Sequence, residues 1–184
     1  SGSPRIRKEV FHRNESQEEI IKCSQVLAEC KVPKVIYDFM IHHPFESLEE
    51  LKETYRLCLE LKPPFELQIH GLHFLPGTDI VQMALDAGYY SCEEMNAKMY
   101  GSLKEQFESW YWDVSASENI DEITCWTSMI FLTQFPSLRT MLKKMESNLE
   151  HNKGLNNIYR LQLIMNKVLK FRNLAQKAIL VVKP

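Results

Sequence analysis

The chain has 184 residues, 45% of them hydrophobic and 25% charged, and its 22 basic against 24 acidic residues leave a formal charge of −2. This composition excludes disorder, collagen and long coiled coil, and the near-balance of charge offers no electrostatic footprint for nucleic acid or an anionic membrane. The longest apolar run, Ala178-Ile179-Leu180-Val181-Val182, is far too short to span a bilayer, and residues 1–20 carry basic side chains without an apolar block, so a cytoplasmic chain without a secretory signal is expected.

Ser16 and Glu19 form a capping box, in which each side chain satisfies the other residue's free backbone amide. A helix follows to about Lys31, with Ile20, Ile21, Val26 and Leu27 among its apolar positions, and Pro33 stops it. Residues 35–41 (Val-Ile-Tyr-Asp-Phe-Met-Ile) are rich in β-branched and aromatic side chains and read as a buried strand. Ser47 with Glu50 opens a second helix running to about Leu61, closed by Pro63-Pro64. Phe65 to Phe74 is the next strand. Thr78 caps a short helix that ends near Gly88, a residue type favoured just past a helix.

Helix–strand–helix–strand–helix with short connections is the pattern of βαβ units and a parallel sheet. A closed (β/α) barrel takes about 250 residues and eight strands, so residues 1–90 hold too little chain for one. Beyond Gly88 the signals turn helical: Glu93–Tyr100, Ile120–Gln134, Leu138–Leu149 and Leu155 to about Ala178. Ser109-Trp110-Tyr111-Trp112, Pro136 and Gly154 divide them. The last helix repeats Leu155, Ile158, Leu161, Ile164, Val168 and Phe171 as a one-sided apolar stripe. The expected division is therefore residues 1–90, an α/β portion, and 91–184, a helical region.

Five cysteines, at 23, 30, 58, 92 and 125, lie too far apart for C-x-x-C zinc or iron–sulfur motifs, and their odd number argues against a disulfide framework. Ligands of parallel α/β folds bind at the carboxyl ends of strands, which selects the loops 41–46 and 73–78. His42 and His43 are adjacent there, and a metal-dependent hydrolase built on the histidines is one reading. His70 and His73 fall on opposite faces of a strand, however, and do not converge without a bulge. Asp38 sits inside an apolar strand, where a buried carboxylate needs donors or a changed pKa. Glu46 and Glu66 make no recognisable acid–base pair.

Three segments carry a resemblance to a known family. Ser1-Gly2-Ser3-Pro4-Arg5-Ile6-Arg7-Lys8 resembles the end of its Gly-Ser segment on the fourth barrel strand. Tyr37-Asp38-Phe39-Met40-Ile41-His42-His43-Pro44-Phe45-Glu46-Ser47 resembles its Y-D-[FI]-I-x-G-x-P-x-E-T segment on the fifth. Leu72-His73-Phe74-Leu75-Pro76-Gly77-Thr78 resembles the Pro-Gly-Thr segment ending the sixth. In this order and spacing, over residues 1 to about 90, they are similar to the radical S-adenosylmethionine superfamily, closest to the subfamily that often carries a cobalamin-binding domain. Pro4 stands where that family usually has an acidic residue, and His42 where it usually has Gly. The cluster-binding C-x-x-x-C-x-x-C is absent.

The resemblance implies the C-terminal part of a partial TIM-type barrel, followed by an all-helical extension, from a longer enzyme. That enzyme would use S-adenosylmethionine and a [4Fe–4S] cluster on a small-molecule or peptide substrate, with cobalamin left open. By the same resemblance Ser1, Gly2 and Ser3 lie near the ribose and methionine portions of S-adenosylmethionine. Asp38, Met40, His42, Leu75 and Pro76 complete the implied cofactor-binding set, with Met40 and the Leu75-Pro76 backbone near the adenine. Radical generation belongs to the cluster and cofactor rather than to these residues. The competing reading is a non-catalytic helical interaction module on a barrel remnant. A sheet that begins at the fourth strand also exposes an unpaired edge, from which self-association, or cover by part of the helical C-terminal half, is expected.

Overall fold

The computed structural model describes residues 1–102, 104, 121–149 and 155–182. The chain is mixed α/β and mostly helical, with one two-stranded parallel sheet among the described residues. It divides into two compact units, Ser1–Asp113 and Val114–Pro184.

The first unit begins with a π-helical turn, Ile6–Val10, followed by α1 (Gln17–Glu29), β1 (Ile36–Met40), α2 (Leu48–Glu60), β2 (Glu66–His70), α3 (Asp79–Asp86) and α4 (Cys92–Tyr100). Both expected capping boxes are formed: Ser16 Oγ accepts from the Glu19 amide at 3.2 Å, and Ser47 Oγ from the Glu50 amide at 3.4 Å. A third, Ser91 with Glu94, opens α4. The strands pair in parallel, Ile36 opposite Glu66 through Met40 opposite His70, joined by α2 as the short connections predict. The second strand stops at His70, four residues short of Phe74. β1 ends at Met40, and after Ile41 N–H donates to the His70 carbonyl the ladder has no further partner strand among the described residues.

Three other expectations change. Thr78 stands at the start of α3, but its hydroxyl donates backward to the Leu75 carbonyl at 2.7 Å instead of accepting from the helix. α1 buries little: Val26 is 48% exposed, and Ser24 is the one buried residue of the helix. α4, which its helical signal placed with the C-terminal region, buries Met95 among Ile6, Val10, Phe45, Phe74 and Ala84. That cluster joins the N-terminal turn to the loops leaving both strands. Gly88 does sit past α3 with φ +68°, and the bonds Gly88 N–H to Leu85 and Tyr89 N–H to Ala84 complete a Schellman turn.

The second unit contains α5 (Glu122–Leu132), a 3₁₀ turn (Pro136–Leu138), α6 (Arg139–Leu149) and α7 (Leu155–Val182). α5 is buried from Thr124 onward and packs along α7, where Ser128 Oγ donates to the buried Gln162 Oε1 at 2.6 Å. Of the stripe on α7, Ile158 alone among the described side chains is buried. Ile158, Tyr159 and Gln162 are buried, whereas Ile164, Val168 and Phe171 are exposed, Phe171 by 73%. At 3.6 residues per turn those three lie across the helix from Tyr159 and Gln162. The aromatic segment 109–112 and Gly154 fall outside the described residues. No described helix is long and apolar enough to cross a membrane.

Candidate functional site

Strand alternation decides what each face of the sheet presents. Phe39, Leu67 and Ile69 are buried on one face. On the other face Asp38 and Gln68 are exposed and Met40 and His70 half-buried. Because Asp38 is level with Gln68 and Met40 with His70, Asp38 and His70 are diagonal neighbours, and Asp38 Oδ1 lies 3.4 Å from His70 Nε2. The Asp38 side chain is 64% exposed. The buried carboxylate expected from the apolar composition of this strand is thus corrected: Asp38 points to the open face and meets water.

A groove of about 820 Å³ runs over this open face and around the outer edge of β1. Asp38, Met40, Gln68 and His70 line it from the sheet, and Ser1, Arg7 and Arg13 from the N-terminal segment. Three of the eight implied cofactor-binding residues, Ser1, Asp38 and Met40, therefore share one surface. The others are placed elsewhere. Gly2 and Ser3 are buried against α2, His42 lines a second cavity, and Leu75 and Pro76 are exposed in the turn before α3.

The N-terminal segment is fixed by polar bonds to α2. Gly2 N–H donates to Thr54 Oγ1 at 2.7 Å, and Ser3 Oγ to Glu50 at 3.1 Å. A Cβ at Gly2 would collide with the backbone of Glu53 and Thr54, so only glycine permits this approach. Arg5 donates to both Glu50 oxygens, at 2.7 and 2.9 Å, and to the Phe45 carbonyl. Burial pushes the Glu50 carboxyl up, but the Arg5 guanidinium, the Ser47 amide and hydroxyl and the Ser3 hydroxyl more than offset it and hold it at about 2. Arg7 is buried and donates to the carbonyls of Ser1 and Gly2 at 3.0 and 2.8 Å. Sequence reading missed both anchors: the bonds of Glu50 to Ser3 and Arg5 cross more than 40 residues of chain, and those of Arg7, though local, join a side chain to backbone carbonyls of an irregular segment that carries no motif.

Beyond the strand ends a second cavity, of about 90 Å³, is lined by His42, His43, His73, Phe74, Tyr90 and Lys98, with Pro44 and Leu72. His43 is buried between the rings of Phe11 and Phe45, and neither of its ring nitrogens has a hydrogen-bond partner. Burial, with added positive charge nearby, pulls its imidazole down to about 4. Glu46, accepting from Ser1 Oγ at 3.2 Å, is pushed up to about 7 by burial. Glu66 lies apart from it and pairs with Lys34 at 3.2 Å. Lys98, 4.7 Å above the Tyr90 ring, comes from chain that the sequence assigned to the helical region.

Among the described residues no three His, Cys, Asp or Glu side chains group to hold a metal ion. The five cysteines form no disulfide and are dispersed, Cys58 and Cys125 buried, and burial pushes the Cys125 thiol up to about 12. These cysteines do not fit an iron–sulfur cluster, which needs converging thiolates. Comparison of the chain with family models, with curated proteins and with solved structures returned no match.

Proposed function

We propose that this chain is the C-terminal part of a radical S-adenosylmethionine enzyme, a partial barrel with a helical extension, contributing one wall of the S-adenosylmethionine pocket but no cluster ligand. The observation that carries the reading is the open face of β1–β2. A parallel sheet is usually covered on both faces, and here the uncovered face bears Asp38 and Met40 beside Ser1. An apolar thioether suits an adenine face, and hydroxyl and carboxylate groups suit ribose and ammonium. S-adenosylmethionine, when bound to a cluster-bearing partner portion, supplies the radical chemistry; the residues here bind and orient.

A second observation favours the same reading. His42, where the resembling family usually has Gly, holds φ +59°, a left-handed backbone that favours glycine. The free edge of β1 is proposed to seek a partner strand, so the isolated chain self-associates there. Freely exchanging amides at 36–40 in a strict monomer would contradict that.

The test is anaerobic iron–sulfur reconstitution of the 184-residue chain beside the product of its full reading frame. The full product is expected to carry C-x-x-x-C-x-x-C upstream of Ser1, bind a cluster and release 5′-deoxyadenosine, and the chain alone to do neither. A stoichiometric cluster on the chain, or a full frame without that motif, would overturn the proposal.

A further inference from the structure

The near-neutrality of the whole chain conceals a division of charge. The second unit, Val114–Pro184, holds ten Lys or Arg against five Asp or Glu, whereas the first holds twelve against nineteen. Within the second unit α7 is the extreme case: its 28 residues carry five Lys or Arg and no Asp or Glu. One face of this helix is already occupied, with Ile158, Tyr159 and Gln162 buried and Gln162 bonded to Ser128 of α5. The opposite face is apolar as well. Half or more of each of Ile164, Val168 and Phe171 is exposed, and Leu161, three residues earlier, is half-buried. Their steps of three, four and three residues are those of a coiled-coil seam, and the sequence continues the spacing at Ala175 and Ala178. Arg160 and Lys167, both exposed, stand directly before Leu161 and Val168 and so edge the seam. In a coiled coil such edge positions face the partner helix and decide which partner is accepted.

We propose that this face of α7 docks an acidic amphipathic helix of a partner protein, whose apolar ridge covers Ile164, Val168 and Phe171 and whose Glu or Asp side chains meet Arg160 and Lys167. A second copy of α7 does not suit the seam. Antiparallel pairing sets Arg160 and Lys167 against the same two residues of the copy, and parallel pairing sets Lys167 against the Arg172 position, like charge on like in either case. A bilayer fits poorly too. The three exposed side chains span only about 60° of the helix at 3.6 residues per turn, the width of a seam for one helix and well short of the broad apolar face of a helix lying in a membrane interface. Nucleic acid would engage the cations through its phosphates but leave the apolar seam in water. The inference does not rest on the S-adenosylmethionine reading, because the implied cofactor residues and the groove over the sheet belong to the first unit and α7 to the second.

The experiment titrates the 184-residue chain into two fluorescently labelled synthetic peptides of about three heptads, read by anisotropy. Both carry Leu at the seam positions, and the edge positions are Glu in one peptide and Lys in the other. The Glu peptide is expected to bind saturably and about tenfold or more tighter than the Lys peptide, a preference that shrinks at high salt. Arg160→Glu combined with Lys167→Glu should invert the order of the two peptides, and Phe171→Glu should abolish binding of the Glu peptide. All three positions are exposed, so these variants keep the fold, which circular dichroism checks. No saturable binding of the Glu peptide, equal affinity for both peptides, or an order that survives the paired reversal would overturn the proposal. Tighter binding to vesicles of phosphatidylserine and phosphatidylcholine than to the Glu peptide would overturn it in favour of a membrane. Self-association of the chain that Phe171→Glu abolishes would overturn it in favour of a second copy.

Discussion

The two faces of the β1–β2 sheet come from the same ten residues and have opposite fates. One buries Phe39, Leu67 and Ile69, while the other leaves Asp38 and Gln68 in water and Met40 and His70 half-covered. A period of two residues is enough to separate them, so a single strand serves both as core and as binding surface. The contrast teaches that stability and site can be altered independently here. Substitutions on the first face should cost folding, and those on the second should cost little.

The sharpest way to break that comparison is a pair of truncations. Ile69→Ala should destabilise by about 2–5 kcal/mol, through lost burial and the cavity left behind. Met40→Ala, two positions from the strand centre on the other face, should cost under about 1 kcal/mol. Urea unfolding measures both, and equal losses would erase the distinction between the faces.

Next in size is the clamp on the N-terminal segment. Glu50→Gln should cost about 1.5–3 kcal/mol at pH 7, since it removes charge-assisted bonds from Arg5 and Ser47. The Glu50 carboxyl is held at about 2, below its ordinary 4.5. Its contribution is therefore complete above pH 4.5 and fades as pH falls toward 2. The difference between wild type and variant should shrink across that window, and a gap that persists at pH 2 would assign the effect to packing.

At about 1 kcal/mol comes His42→Gly, expected to stabilise the chain by relieving the left-handed backbone. Destabilisation by a similar amount would show that the His42 side chain outweighs the strain.

The smallest expected effect is a pair of opposed pH slopes. Burial lowers His43 to about 4, so the unfolded chain takes its proton first and stability rises with pH up to about 6.5. Burial raises Glu46 to about 7, so the folded chain holds its proton longer and stability falls as pH rises from 4.5 to 7. Between pH 5 and 6.5 the two oppose. Glu46→Gln should leave a rising slope and His43→Phe a falling one, and slopes of the same sign in both variants would contradict these assignments.

Much of the first unit was legible because its signals are local. Ser16 with Glu19 and Ser47 with Glu50 need only four residues to be read, and the parallel pairing follows from two strands separated by one helix. Ser91 with Glu94 carries the same signature and starts its helix at Cys92, one residue before the expected Glu93. Asp38 was misplaced because composition, averaged over 35–41, hides which parity faces water. The bonds of Ser3 and Arg5 to Glu50, and the packing of Met95 beside Ile6, span 40 to 90 residues of chain and have no local signal. On α7 the apolar positions were visible and Ile158 is buried as they suggest, but burial continues through Tyr159 and Gln162, whose side chain bonds to Ser128 on α5, and leaves Ile164, Val168 and Phe171 exposed.

The most direct test of the central claim is to follow the methionine methyls by NMR, in ¹³C-methyl-methionine-labelled chain, while S-adenosylmethionine is added. The account predicts a saturable shift at Met40, on the open face, with Met95 in the buried cluster unmoved. A Met40 methyl that does not respond at saturating ligand, or a shift confined to methionines away from the open face, would contradict it.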